Sequence, residues 1–200
     1  MPEPKRICPW WIGYLLLSPL RRWRQNPHAI LEPHVAEGMT VLEPGPGMGF
    51  FTLELARLVG PTGRVVAVDV QPKMLSALRR RAGRVGLAER VETRQAAAET
   101  MGLDDLAGAV DFALAFAVVH ELPDAGHFFE EVHAALRPGG RLLLAEPRGH
   151  VKEHAFAETL AAAGRAGFVE QARPQIGKSH TALLVREEPH SDRGQAHPPG

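Results

Sequence analysis

"VLEPGPGMGFF", residues 41–51, places a loop of glycines and prolines directly after an apolar run. Glycine lets the backbone turn sharply and lets a ligand approach closely, whereas proline stiffens the chain and lacks a backbone N–H. A helix that begins after such a loop points free N–H groups at the ligand. The stretch predicts a strand, a stiff loop with space along Gly45 and Gly47, and a helix, with Gly47, Met48 and Gly49 as donors. The alternative is a tight strand-to-helix turn that binds nothing.

Short apolar runs alternate with segments of helical length along most of the chain. This order is typical of an α/β protein with a doubly wound, mostly parallel sheet covered by helices on both faces. Strands are predicted at residues 39–43, 64–69, 91–95, 111–117 and 141–146, and helices at residues 51–59, 73–85, 127–136 and 153–165. Two further strands, at residues 168–173 and 180–186, could close the sheet as an edge pair.

Polar residues follow the predicted strands, where ligands bind in sheets of this kind. Asp69 ends the second strand, and its carboxylate could accept hydrogen bonds from both hydroxyls of a ribose. The alternative for Asp69 is an N-cap of the helix after Gln71. A dinucleotide fingerprint would need a third glycine at position 50, which is Phe50, so the spacing argues against NAD. The remaining candidates at strand ends are Glu43, Ala97, Ala98, Glu99, His120, Glu121 and Glu146.

The overall composition narrows the classes of protein. The 200 residues include 23 Lys and Arg and 23 Asp and Glu, so we expect no nucleic-acid partner. The single cysteine excludes an internal disulfide and fits a reducing compartment. The apolar run at residues 10–17 is far shorter than the about 20 residues that span a bilayer. We expect a soluble cytoplasmic protein with one domain at residues 26–186, preceded by a segment at residues 1–25 and followed by a disordered tail at residues 187–200.

Three motifs, "VLEPGPGMG", "VVAVDV" and "LRPGGRLLLAEP", resemble those of class I S-adenosylmethionine-dependent methyltransferases over about residues 26–186. The resemblance implies a Rossmann-like sheet of seven strands, mostly parallel with an antiparallel last strand. It also implies the cofactor S-adenosyl-L-methionine and a small-molecule acceptor. Carried over to this sequence, Gly45, Gly47 and Gly49 would lie along the cofactor, Glu43 near its methionine ammonium, and Asp69 on its ribose.

One departure from the family concerns the adenine. Many members have an acidic residue in a stretch like Asp-Ala-Glu, where this chain has Ala97, Ala98 and Glu99. Adenine would then be recognised by the backbone near Ala97 and Ala98 or by Glu99, and the sequence does not choose between them.

Methyl transfer in this family is a direct displacement, so the protein mainly aligns donor and acceptor. His120 is the candidate for a base, because histidine can take a proton near neutral pH. Its alternative is a pocket-lining residue with no proton role. Glu121 and Glu146 are candidates for acceptor binding by position, and Asp124 is another; each could instead be a cap or a solvated charge.

The amino-terminal segment offers three interpretations. Trp10, Trp11 and Tyr14 could form part of a lid over the acceptor, could pack against the side of the domain, or could touch a membrane surface beside several arginines. A pattern of two histidines, His150 and His154, matches a zinc protease motif, but no third ligand is evident, and no metal is predicted.

The sequence thus predicts an S-adenosylmethionine-dependent methyltransferase that acts on a small molecule. Two other classes stay open: a non-catalytic cofactor-binding or scaffold protein with this fold, and a nucleotide-dependent oxidoreductase. Arsenite methylation in related enzymes uses several cysteines, and the single Cys8 argues against that acceptor.

Overall fold

The computed structural model describes residues 25–97 and 99–187. The predicted lid residues Trp10, Trp11 and Tyr14, the candidate Ala98 and nearly all of the predicted tail lie outside the described residues. Within the described ranges, no helix combines the length and apolar character needed to cross a membrane.

Seven strands form one sheet in the order β3-β2-β1-β4-β5-β7-β6. The strand β7 is antiparallel to both of its neighbours, β5 and β6, and the other pairs are parallel. The predicted fold class is therefore confirmed. The strands are β1 Thr40–Pro44, β2 Arg64–Asp69, β3 Val91–Gln95, β4 Val110–Phe116, β5 Leu136–Pro147, β6 Phe168–Ala172 and β7 Ser179–Arg186.

Two of the described α-helices begin at a side-chain cap. Among the described helices, the Asn26 side chain accepts from the N–H of His28 at the start of the first, and the Asp124 side chain accepts from the N–H of His127 at the start of the fourth. The α-helices are α1 Pro27–Leu31, α2 Thr52–Leu58, α3 Pro72–Arg84, α4 Ala125–Ala135 and α5 Glu153–Arg165. Short 3₁₀ turns lie at Ala88–Arg90, Asp104–Leu106 and Val119–Glu121.

The sheet is buried on both faces, which is why its central strands are almost continuously apolar. Successive residues of β4 alternate between two hydrophobic clusters, with Phe112 and Leu114 in one and Ala113 and Ala115 in the other. The strand order reverses between β1 and β4. Their carboxyl ends therefore open a crevice at one rim of the sheet.

Two predicted boundaries differ from the structure by two residues or more, for identifiable reasons. The sequence assigned Leu136 to the preceding helix, but the strand β5 begins there. The reason is that Leu136 pairs with Val110 of β4, ahead of the pair between Arg141 and Phe112. The residues between them include the Pro-Gly-Gly turn. The helix α4 begins earlier than predicted, at Ala125, because Asp124 caps it.

Candidate active site

The three glycines of the loop after β1 have different roles. All three have positive φ, at 67° for Gly45, 55° for Gly47 and 84° for Gly49. A Cβ at Gly45 would lie 2.7 Å from a methyl carbon of Val118, and one at Gly49 would collide with Leu78. A Cβ at Gly47 would meet no protein heavy atom within 4 Å. Gly45 and Gly49 therefore allow close packing, and Gly47 is where a ligand can approach the backbone.

The three N–H groups predicted to donate to a ligand differ in their surroundings. The N–H of Gly49 donates to the carbonyl of Pro46 over 3.0 Å, and that of Gly45 donates to the carbonyl of Val68 in β2 over 2.8 Å. The N–H of Gly47 faces the Asp69 carboxylate and lowers its pKa. The loop closes on itself and on β2, so its stiffness comes from these bonds as well as from its prolines. Donation from Gly47 and Met48 to a ligand stays a prediction.

Glu43 is a buried carboxyl group at the end of β1. Its side chain is 3% exposed, and its Oε2 atom has no hydrogen bond of acceptable geometry from any described residue. Burial raises the pKa of Glu43 to about 8, opposed by the nearby Thr52 hydroxyl and assisted by the negative charge of Asp69. A buried carboxyl oxygen of this kind suits a cationic ligand group.

Asp69 ends β2 with spare hydrogen-bonding capacity. Its Oδ1 accepts from the N–H of Gln71 over 2.8 Å. Burial raises the pKa of Asp69, the bonds from Gln71 and Gly47 oppose the rise, and the charge of Glu121 adds to it. Gln71 itself occupies the N-cap position of α3, so Asp69 is not that cap. Because a carboxylate has about four lone-pair sites, two bonds leave room for two ligand hydroxyls.

A cavity of about 1050 Å³ opens at the carboxyl ends of β1 to β4. It brings together nine of the residues predicted from the sequence: Glu43, Gly45, Gly47, Met48, Asp69, Ala97, Glu99, Glu121 and Asp124. Gly49, His120 and Glu146 do not line it.

His120 and Glu146 instead tie the turn after β4 to β5. The Glu146 side chain is 1% exposed; its Oε1 accepts from the N–H groups of Val119, over 2.8 Å, and His120, over 3.3 Å. Its Oε2 lies 2.5 Å from His120 Nδ1. Because neighbours in this turn, Val118 and Glu121, do line the cavity, the pair fixes the position of a cavity wall. Neither His120 nor Glu146 lines the cavity. The catalytic role of His120 and the acceptor-binding role of Glu146 therefore stay predictions.

Helix α4 contributes cavity residues that the sequence did not single out. They include Glu131, which accepts from the Thr100 hydroxyl over 2.5 Å and from the N–H of Met101 over 3.0 Å. A glutamate on an amphipathic helix gives no sequence signal, since most such residues are solvated. The other unpredicted lining residues include Val70, Met74, Phe116, Leu122, His127 and Phe128.

The open α/β sheet, its glycine loop and its acidic strand ends define a Rossmann-like methyltransferase fold. The chain belongs to the family described as methyltransferase domain, whose model matches residues 36–185.

Named relatives support this membership over part of the chain. An arsenite methyltransferase of Halobacterium salinarum is 34% identical over 121 residues, 60% of this chain and 30% of the relative. The ubiquinone/menaquinone biosynthesis C-methyltransferase UbiE of Enterobacter sp. is 34% identical over 112 residues, 56% of this chain and 44% of the relative. The chain therefore spans less than half the length of these relatives.

A solved structure matches the fold over almost the whole chain. The SAM-dependent methyltransferase of Aquifex aeolicus has a TM-score of 0.79 at 24% identity, covering 90% of this chain and 98% of that one. This identity supports the fold alone.

The cofactor of this family is S-adenosylmethionine, and the residues present fit it. Glu43 Oε2 would hold the ammonium, the open side of Gly47 would admit the chain of the ligand, and the spare sites of Asp69 would hold the ribose. When bound, the cofactor supplies a methyl group activated by its sulfonium. Among the described residues, no group of three or more His, Cys, Asp or Glu side chains is arranged to hold a metal ion.

Proposed function

We propose that this protein transfers a methyl group from S-adenosylmethionine to a small-molecule acceptor. The observation that carries the proposal is one continuous cavity that runs from Glu43 and Asp69 to Glu121 and helix α4. Its volume of about 1050 Å³ is at the upper end of the usual range for ligand sites, about 300–1,000 Å³. A cofactor and a small second molecule can therefore lie side by side.

The contribution of the protein to the reaction is positioning. Val118 and Glu121 form the wall at the end of β4, and Glu146 fixes that wall through bonds to the turn between them. Apolar side chains, including Phe116 and Phe128, face the cavity as well and exclude water from the reacting groups. Alignment of this kind is sufficient for a displacement whose acceptor atom has no proton to lose.

The charge of the cavity favours an acceptor that is uncharged or cationic. Among the described lining residues there is no lysine or arginine to pair with an anion. An anionic acceptor would enter against a mostly negative field, with no lysine or arginine among these residues to pair with its charge. The lining carboxyl groups are Glu43, Asp69, Glu99, Glu121, Asp124 and Glu131.

The names of the two relatives suggest different acceptors. An acceptor in ubiquinone or menaquinone biosynthesis, as named for UbiE, would offer an aromatic ring to the apolar walls. Arsenite, as named for the other relative, is disfavoured by the single cysteine of this chain. A cytoplasmic location, the absence of a nucleic-acid partner, and membrane contact through the amino-terminal segment stay predictions.

Turnover with matched acceptors tests the proposal. The full chain is incubated with S-adenosylmethionine and aromatic compounds that share a ring but carry an amine, a phenol or a carboxylate, and the products S-adenosylhomocysteine and methylated acceptor are measured by mass spectrometry. We expect methylated amines or phenols and no methylated carboxylates. A preference for carboxylates would overturn the charge argument. Tight cofactor binding without product, from these compounds or from a metabolite extract, would favour the non-catalytic alternative.

A further inference from the structure

The cavity has a distal end beyond Asp69, on the side away from the glycine loop. The backbone carbonyl of Asp69 accepts from the N–H of Ala96 over 3.1 Å, which joins the end of β2 to the loop after β3. This loop is joined in turn to helix α4, because Met101 donates its N–H to Glu131. Since the glycine loop would hold the rest of the cofactor, a nucleoside whose ribose lies on Asp69 would have its base at this end, between the loop and the helix.

The walls of this end suit a flat heteroaromatic ring. Val70 follows Asp69 directly and is 42% exposed, which is unusual for a large apolar side chain in this protein. Ala96, Met101 and Phe128 also line the cavity; Ala96 and Met101 follow β3, and Phe128 is on α4, the helix that carries Glu131. Apolar side chains can cover the faces of a base, but they offer no partner to the polar groups on its edge.

The Glu131 carboxylate is the fixed acceptor at this end. Its side chain is 16% exposed, and the Thr100 hydroxyl and the Met101 N–H hold it in place over 2.5 Å and 3.0 Å. The Met101 N–H lies within reach of both carboxylate oxygens, and His127 Nε2 lies 3.7 Å from Oε2, an ion-pair contact when His127 is protonated. These neighbours do not exhaust the about four lone-pair sites of a carboxylate. Glu131 can therefore still accept a hydrogen bond from a ligand.

The other candidates at this end are weaker. The N–H of Ala97 is already used, because it donates to the carbonyl of Thr100 over 3.0 Å. Glu99 lines the cavity but is an exposed side chain, so holding it against a ligand costs conformational entropy that the anchored Glu131 does not lose.

We propose that Glu131, through its anchored carboxylate on helix α4, accepts the hydrogen bond from the exocyclic amino group of the purine and so selects an adenine nucleoside over its 6-oxo counterpart. This specificity role rests on the proposed cofactor. A site built to pair a ligand N–H discriminates strongly against an analogue that lacks it, because the site is then left with an unpaired polar group.

Calorimetric binding of two ligands tests the assignment without any need for turnover. S-Adenosylhomocysteine carries the 6-amino group, and S-inosylhomocysteine carries an oxygen in its place. We expect the wild-type protein to bind the amino ligand at least tenfold more tightly. In Glu131→Gln this preference should fall to about threefold or reverse, because the amide can donate to the 6-oxo group while its oxygen still accepts from Met101. Glu130→Gln is the matched control: Glu130 is on the same helix, 69% exposed and outside the cavity lining, so wild-type preference is expected.

Each other outcome overturns the assignment in a distinguishable way. An unchanged preference in folded Glu131→Gln, or a loss of preference in Glu99→Gln, would remove the role from Glu131 while leaving the cofactor intact. Equal binding of both ligands by the wild type would do the same without any variant. If neither ligand binds, the cofactor assignment itself fails. Should Glu131→Gln not fold, Glu131→Asp, which shortens the side chain and keeps its charge, is judged by the same criterion.

Discussion

Valine substitutions at Gly47 and at Gly86 distinguish the loss of space for a ligand from the strain of the backbone. Both have positive φ, 55° and 70°, and a Cβ at either would meet no heavy atom within 4 Å. Gly47 lines the cavity, and Gly86 lies outside its lining. Valine at either position should cost about 1–2 kcal/mol of stability, because the left-handed conformation disfavours a side chain.

We expect only Gly47→Val to lose affinity for S-adenosylhomocysteine, by at least tenfold, while both variants melt at similarly lowered temperatures. Calorimetry and thermal unfolding measure the two effects. Normal binding by Gly47→Val would show that the glycine loop is a turn without a ligand role.

Glu43 makes the stability of the protein depend on pH. Its pKa rises from the ordinary 4.5 to about 8 because of burial, so between these values the folded state holds a proton that the unfolded chain has lost. The free energy of unfolding therefore falls as the pH rises from about 4.5 to 8. Glu43→Gln has no such proton to hold, and we expect it to melt higher than the wild type at pH 8 and close to it at pH 5.

Glu99→Gln is the control for this experiment, because Glu99 is exposed. Thermal unfolding across the pH range, without cofactor, gives the comparison. The same difference in melting temperature between Glu43→Gln and wild type at pH 5 and at pH 8 would contradict the raised pKa.

At the scale of the elements, the tie between β5 and the turn after β4 can be tested from both of its ends. Glu146→Ala leaves the N–H groups of Val119 and His120 without their acceptor, and an unsatisfied buried donor costs about 1–3 kcal/mol. His120→Ala removes the ring contact and keeps both backbone bonds. We expect a large fall in melting temperature for Glu146→Ala and a smaller one for His120→Ala.

Turnover decides between positioning and proton transfer at His120. If the residue positions the turn, His120→Ala should keep kcat within about tenfold, and Glu146→Gln, which keeps an acceptor oxygen, should recover most of the stability lost in Glu146→Ala. A far larger loss of kcat in a stable His120→Ala variant, with a changed pH profile, would identify His120 as a base.

The elements themselves follow closely from local pattern. The strands β2 and β3 and the helix α5 have the predicted bounds, because apolar alternation, prolines and charges mark their ends. The start of β5 could not be predicted, since Leu136 enters the sheet by pairing with Val110, far away in the chain.

The residues of the candidate site also divide into those that the sequence predicts and those that it does not. Glu43, Gly47 and Asp69 were predictable as cavity residues because they lie at or shortly after the carboxyl ends of β1 and β2, and the ends of parallel strands meet at one rim. Glu131 was not, because it reaches the cavity only through the packing of α4 and its bonds to Thr100 and Met101. Glu146 also ends a strand, but its side chain is buried behind the cavity wall, and strand position alone does not give that direction.

At the scale of the whole molecule, residues 1–24 can be removed to test their predicted role as a lid. Every described strand begins later, the first at Thr40, so the sheet should still fold. A lid predicts that turnover falls far more than the melting temperature, because an open site admits water and loses acceptor orientation.

The other two interpretations of the amino-terminal segment give different results. Side packing predicts a sharp loss of melting temperature or of soluble expression. Membrane contact predicts that the full chain, and not the truncated one, sediments with anionic liposomes in a salt-sensitive way.

The position of β7 sets an order on the assembly of the molecule during synthesis. The strand β6 leaves the ribosome before β7. It pairs with the sheet only through β7, which lies between β5 and β6. The half of the sheet that holds Glu43 and Asp69 can therefore form early, whereas β6 cannot pair until β7 has been synthesised. A nascent chain could meet its cofactor before the far half of its own sheet exists.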